Sequence, residues 1–385
     1  MKGTGIGIIG CGDMGRAVAR SVVAHGDMIN INAVYDPDPH SIEEARRDFG
    51  DKFIETDSID DLLKRDDINW VMIASWNRFH AEQVIAAFAA GKHVFCQKPL
   101  AVSLEQCLYM RDVWHKSGNK FVIGFNLRYS PHYRKIKELL RQGSIGDIIS
   151  FEFNEALDFN HGGFIMGDWQ RLRQNAGTHL LEKCCHDVDI ANWMIGSRAK
   201  RVASFGGLDF FLPKNETALE RVGKSEHGRQ GYMTWREGKT INPFTSDKDI
   251  IDNQVTIIEY ENGVRATLHM NSNTGIPERR LYLCGTRGTL RADLHTGTIE
   301  LRRIGFGQER EDHSMKSAGI HGGGDEVLVR ELIATMTNDE PTSTTLDDGL
   351  AAAVTCFAMD EAMDSGRIVD MTSYWDKVDS VPGVA

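Results

Sequence analysis

Glu182, His186, Asp189 and Trp193 are spaced by four, three and four positions, so a helix carries them on one face. On such a face His186 can accept the proton of a substrate hydroxyl, with Asp189 or Glu182 orienting the ring and stabilising its charged form. A polar surface helix has the same spacing, and the pattern alone leaves that reading open. Lys98-Pro99 follows the apolar run His93-Val94-Phe95-Cys96-Gln97. At the end of a strand its ammonium can orient a hydroxyl and stabilise alkoxide charge as hydride leaves the carbon. A third pattern binds rather than reacts. Gly10-Cys11-Gly12-Asp13-Met14-Gly15 spells G-x-G-x-x-G between the apolar segment 5–10 and the helical pattern RAVARSVVA, the setting in which this motif cradles a dinucleotide. Gly10 permits the tight turn, Gly12 lets the backbone approach a pyrophosphate, and Gly15 allows the helix to pack closely on the strand.

These groups need a frame. The next apolar run, INAVYD, ends in Asp36, at the distance where an acid meets the ribose hydroxyls and repels a 2′-phosphate. Pro37, Asp38 and Pro39 follow with no nearby arginine, so the expected cofactor is NAD rather than NADP. INWVMIA and HVFCQKP read as further buried strands, AEQVIAAFAAG as a helix between them, and KFVIGFN as another strand. This alternation predicts a parallel Rossmann-like sheet over residues 1–127, the boundary falling in FNLRYSP. Residues 128–385 read as a second α/β domain with a largely antiparallel sheet. Its expected strands lie at 147–157, 199–210, 279–284 and 289–293, with a hairpin around Glu261-Asn262-Gly263. A helix is expected at about 177–195, a polar excursion at 211–250, and two helices between Asp325 and Met363.

Composition narrows the class. The 385 residues include 44 Lys and Arg against 55 Asp and Glu, a formal charge of −11, which argues against a broad basic surface for nucleic acid or anionic membrane. Seven cysteines, an odd number without CxxC spacing, fit a reducing cytoplasm better than a disulfide scaffold. The N-terminal apolar run reaches its glycine turn too soon for a signal peptide, and no run approaches the roughly 18–20 apolar residues of a membrane span. Cys184, Cys185, His186 and Asp187 invite a metal reading. Adjacent cysteines, however, point about 100° apart on a helix and lack structural-zinc spacing, so they read as small packing residues and no metal is expected.

Gly10 to Gly15, Gln97-Lys98-Pro99 and the run from Gly177 through His186 to Asp189 together resemble the Gfo/Idh/MocA oxidoreductase family over nearly the whole chain. The resemblance implies a Rossmann domain followed by an α/β domain whose sheet covers the active site and often mediates oligomerisation. It implies NAD or NADP as cofactor and sugars, inositols and related polyols as substrates. Lys98 matches the lysine of the family's Glu-Lys-Pro signature, and His186 its usual catalytic histidine. Ser75, Asn77 and His80 fall in a segment similar to the nicotinamide-side loop. Asn126, Arg128 and Tyr129 resemble the junction that forms the cofactor and substrate cleft, although interdomain packing explains Arg128 and Tyr129 equally well. Two positions depart from the pattern: Gln97 replaces a glutamate, and Glu182 stands where an aspartate is common.

The preferred reaction is reversible alcohol oxidation, in which His186 removes the hydroxyl proton, Lys98 stabilises the oxygen, and hydride passes to nicotinamide. An NAD-retaining glycosidase or lyase acting through transient sugar oxidation is the second reading. A nonenzymatic NAD-binding sensor or scaffold is the third. The expected assembly is a cytoplasmic homo-oligomer, on the open sheet of the second domain and the resemblance.

Overall fold

The computed structural model describes residues 3–26, 28–235, 240–316, 319 and 321–381. The chain forms two units. The first takes the chain up to Ser130, Gly323–Ala353 and the residues from Asp376; the second takes Pro131–Gly322 and Val354–Trp375. The division falls inside one long helix, Leu346–Ser365.

In the first unit, β1 (Thr4–Ile9), β2 (Ile29–Tyr35), β3 (Ile54–Glu55), β4 (Trp70–Ile73), β5 (His93–Cys96) and β6 (Phe121–Ile123) lie in the order β3-β2-β1-β4-β5-β6. Every neighbouring pair is parallel. Trp-Val-Met-Ile of β4 is buried at all four positions, as expected of a strand covered on both faces, and this is why it reads as an unbroken apolar run. The strand order reverses between β1 and β4, the point where open α/β sheets bind ligands. Helix starts follow local chemistry. Ser103 Oγ accepts from the Gln106 amide to begin Leu104–Ser117, and Gly118, at φ +66°, ends it. The core joins Ile6, Ile8, Val34, Trp70 and Phe95 to Leu328 and Leu332 of the returning helix Gly324–Asn338.

The second unit holds β7 (Ile148–Asp158), β8 (Ala199–Gly207), β9 (Asn253–Tyr260), β10 (Arg265–Thr274), β11 (Arg280–Gly285), β12 (Gly288–Asp293), β13 (Thr298–Arg303), β14 (Arg310–Asp312) and β15 (Val369–Asp370). They form one sheet in the order β14-β13-β12-β11-β7-β10-β9-β8-β15. β7 and β10 pair in parallel and all other neighbours are antiparallel. The expected hairpin joins β9 to β10, with Gly263 at φ +85° and the Tyr260 amide donating to Val264 O at 2.9 Å. Along β9, buried Gln254, Thr256, Ile258 and Tyr260 alternate with exposed Val255 and Ile257. One face of the sheet therefore covers the core and the other is open.

The helix expected at about 177–195 forms with an irregular start: a π-helical turn Leu180–Cys184 leads directly into the α-helix Cys185–Ile195. Gly177 adopts φ +79° and closes the separate short helix Arg173–Ala176 before it; the wider turn then admits one extra residue before the α-helix resumes. The polar excursion at 211–250, of which 236–239 lie outside the described residues, carries a core of its own. Phe211, Ala218, Tyr232, Phe244 and Ile250 pack with Leu157, Ile165 and Met166. Its aromatics occur at no helical or strand period, so periodicity does not reveal them.

Candidate active site

In the first unit the glycine turn has the geometry its sequence predicts. Gly10 sits at φ +84°, and a Cβ there would lie 2.5 Å from the Ser75 amide nitrogen. A Cβ on Gly15 would stand 2.5 Å from Gly10 O and 3.0 Å from the Ala74 methyl, so glycine sets how closely the helix Asp13–His25 approaches β1 and β4. Gly12 is the N-cap and brings no side chain to the first-turn amides, the groups that bind phosphate oxygens at such a helix start. Asp13 and Met14 are exposed. Asp36, just past β2, accepts from the amides of Cys11 at 2.8 Å and Asp38 at 2.9 Å, tying the strand end to the turn. Cys11 is fully buried; burial and the Asp36 carboxylate push its thiol well above the usual range. Arg16 donates to Cys11 O at 3.0 Å and pairs with Asp13 and Asp48 at 2.9 and 3.0 Å.

Past β4, Ser75 Oγ donates to Gln83 Oε1 at 2.6 Å, and Asn77 is buried in the short turn Asn77–Phe79. His80 is 1% exposed, with Nδ1 2.8 Å from Pro99 O and Nε2 3.2 Å from Ser75 O. Burial lowers its pKa. Its ring thus joins the chain after β4 to the Lys98-Pro99 segment after β5, a positioning role rather than a contact offered to solvent. Gln97 is buried, and its Nε2 has no hydrogen-bond partner among the described residues. A buried donor in that state calls for an acceptor, and a cofactor amide or hydroxyl at this strand end fits it. Lys98 is partly buried.

The junction residues are tied to the returning segments of the first unit. Asn126 donates through Nδ2 to Asp325 at the start of the helix Gly324–Asn338. Arg128, 9% exposed, pairs with Asp348 at 2.9 Å. Tyr129 lies in the core of the first unit, with its hydroxyl 2.8 Å from Thr344 Oγ1, which itself donates to Ile123 O. Arg128 and Tyr129 thus have packing and pairing partners within the first unit. The sequence could not show this because Thr344 and Asp348 are more than two hundred positions away.

In the second unit, Glu182 falls in the π-helical turn, while His186 and Asp189 lie in the α-helix that follows; all three are buried. Trp193 is partly buried and faces Lys137, whose ammonium stands 5.5 Å from the indole centroid and donates to the Trp193 carbonyl. His321 brings its ring to 5.8 Å from that of His186. Cys184 and Cys185 are buried, and burial pushes the Cys184 thiol well up, in keeping with packing residues. Thr178, just ahead of the π-helical turn, accepts from the Leu181 amide at 3.2 Å and donates to buried Asp360. Burial pushes Asp360 up to about 7.

Local pattern gave no sign of one further cluster. Arg279, 5% exposed, bonds the carboxylate of Glu155 on β7 and stands 2.9 Å from that of Asp187, the neighbour of His186. Burial pushes the Asp187 carboxyl up, and the Arg279 guanidinium pulls it back toward its charged form. An isolated arginine just before a strand is ordinarily solvated, so only the tertiary arrangement marks it.

A parallel six-stranded sheet with a glycine turn at its switch point, followed by a mixed-sheet α/β unit, defines a nucleotide-binding α/β protein. Two family models match it in succession: "Oxidoreductase family, NAD-binding Rossmann fold" over residues 4–125 and "Oxidoreductase family, C-terminal alpha/beta domain" over residues 137–371. The chain belongs to the Gfo/Idh/MocA oxidoreductase family. Among its relatives, inositol 2-dehydrogenase of Gluconacetobacter diazotrophicus is 32% identical over 194 residues, a match spanning 50% of this chain and 54% of that enzyme. The 2,7-anhydro-N-acetylneuraminate hydratase of Escherichia coli is 26% identical over 296 residues, 77% of this chain and 69% of the hydratase. Levoglucosan dehydrogenase, solved with NADH and levoglucosan, shares the fold with a TM-score of 0.79 at 20% identity over 96% of this chain and 100% of that one. Scyllo-inositol dehydrogenase from Lactobacillus casei, solved with NAD(H) and scyllo-inositol, does so at 0.74 and 22%, over 96% and 99%.

Proposed function

We propose that the chain is an NAD-dependent oxidoreductase acting between the hydroxyl and keto forms of a sugar, inositol or related polyol. The observation that carries this reading is the glycine turn with Asp36 beside it, in a chain of this family. The residues present fit NAD. The turn and the uncapped helix start receive the pyrophosphate, Asp36 the adenosine ribose, and Ser75, Asn77, His80, Gln97 and Asn126 form or support the remainder of the site. NAD, when bound, supplies the hydride acceptor. The protein's own work is proton and charge management. His186 takes the hydroxyl proton, Asp189 and Glu182 orient and stabilise the imidazolium, and the Lys98 ammonium lowers the energy of the developing alkoxide. Names of relatives such as inositol 2-dehydrogenase support the substrate class. Incubation of the protein and NAD with a panel of inositols and sugars, read as NADH formation, tests the reading. Tight NAD binding with no NADH from any member would overturn it.

A second reading is favoured by the hydratase relative: transient oxidation, loss or addition of a substituent, and return of the hydride. Product formation without net NADH would select it.

The assembly proposed is a cytoplasmic homo-oligomer. Phe205 on β8 pairs in register with Val255 on β9, and these two are 74% and 45% exposed on the open sheet face beside Ile257. An apolar band of this kind is covered when two sheets meet. None of the seven cysteines is in a disulfide, which supports a reducing compartment. Among the described residues, no helix is long and apolar enough to cross a membrane.

A further inference from the structure

We propose that Arg279 is a positioning residue for His186 and acts through Asp187, an inference that rests on the assignment of His186 as the base. From a point just before β11, the Arg279 side chain reaches two elements and its backbone amide a third. Its Nε bonds Glu155 of β7 and lies 2.9 Å from Asp187 Oδ1, and its Nη2 lies 3.4 Å from Asp187 Oδ2. Its amide donates to Asp293 Oδ1, at the end of β12, at 3.3 Å. Glu155, Asp187 and Arg279 are each 4–5% exposed.

Asp187 is the residue after His186, in the first turn of the helix Cys185–Ile195. The π-helical turn immediately before it lacks the tight ladder of an α-helix, so the rotation of the new helix about its axis needs a second constraint. The Asp187 carboxylate supplies it by fastening that first turn to the sheet. Since successive residues on a helix are about 100° apart, fixing the direction of residue 187 fixes the direction of residue 186. The cluster also sets the local field. Two carboxylates face one guanidinium, and buried Tyr133 and Cys184 and the half-buried Asp293 are other titratable groups around them.

A role confined to holding the helix on the sheet would change stability and leave the imidazole alone. Asp187→Asn separates the two, since it keeps the shape and removes the charge. With ring-labelled histidine, and His186→Asn to identify the resonance, the His186 ring is titrated without substrate in wild type, Asp187→Asn, Arg279→Lys and Arg279→Met. Unfolding midpoints, NAD affinity, kcat and KM for an accepted polyol are measured alongside. The expected result for Asp187→Asn is a displaced His186 resonance and titration midpoint, normal NAD affinity, and kcat down by on the order of ten- to a hundredfold with little change in KM. Arg279→Lys recovers part of what Arg279→Met loses, because it restores charge without the planar fork.

A lowered unfolding midpoint with the His186 titration and kcat unchanged would overturn the proposal, as would equal losses in the lysine and methionine variants. If Arg279→Met does not fold, Asp187→Asn still decides. If the wild type oxidises no polyol, the functional reading fails on that arm, while the ring titration judges the positioning claim.

Discussion

Replacing Asp360 with asparagine isolates a single buried proton. Asp360 lies on the long helix Leu346–Ser365, accepts from Thr178 Oγ1, and is faced by Gln254 of β9, Arg173 and Asp364. Burial raises its pKa from 3.8 to about 7, so the folded protein keeps a proton that the unfolded chain releases. The folded state therefore binds more protons within that window. This contribution to stability is fully present below the unfolded value and is lost as pH rises through the folded one, amounting to about 4 kcal/mol at most. Asparagine keeps an acceptor for Thr178 and is neutral throughout. Part of the loss already falls between the unfolded value and pH 5, so the variant's advantage over wild type should grow by about 3 kcal/mol from about pH 5 to about pH 8. Urea unfolding followed by circular dichroism at both pH values measures the gap. A gap of the same size at both would refute the reasoning, because a pH-independent effect is packing and not proton binding.

Lys98→Met should preserve NAD affinity and slow single-turnover hydride transfer roughly a hundredfold, a loss of about 3 kcal/mol; near-normal transfer rejects the assigned role. His186→Asn should suppress transfer while polyol affinity is largely retained, since an amide cannot cycle through a charged form near neutral pH. Unchanged transfer in a folded variant excludes His186 as the base. Equilibrium titration should give tighter binding of NAD than NADP, because Asp36 repels an added phosphate, and the opposite order would sink that argument. Light scattering should report a homo-oligomer that Ile257→Lys weakens by placing a charge on the open sheet face; a wild-type monomer would refute the assembly.

What could be read from sequence was whatever leaves a local trace. The buried strands Trp70–Ile73 and His93–Cys96 are apolar runs bounded by turns, and the G-x-G-x-x-G turn and the Gly263 hairpin carry their backbone requirement in a residue type. The π-helical turn was not legible, because apolar spacing over 177–195 suits an α-helix as well as one with an extra residue. Nor was the Glu155–Arg279–Asp187 cluster, whose members come from distant parts of the chain and are each unremarkable in their own surroundings. Tyr129 shows how a distant partner escapes a local reading. Its place beside Asn126 and Arg128 suggested a cleft, and only the returning Thr344 shows its hydroxyl satisfied in a core. The aromatics at 211–250 sit in a stretch dominated by charged and polar residues, and irregular backbone rather than a periodic element gathers them.

The division of the first unit into separate stretches of chain has a consequence for its biosynthesis. Its last sheet strand ends at Ile123, yet Leu328, Val329, Leu332 and Met336 of its core arrive with the helix Gly324–Asn338. Arg111 then fastens two later segments, pairing with Asp347 at 2.6 Å and donating to the Val378 and Val381 carbonyls at 2.7 and 3.2 Å. At ribosomal speed the interval between Ile123 and the returning helix is on the order of ten seconds or more. During that time the nucleotide-binding half is on display with part of its apolar surface uncovered. Nascent chains stalled before Gly324 should therefore be clients of chaperones that hold hydrophobic surface, and release should follow emergence of the returning helix rather than completion of the parallel sheet.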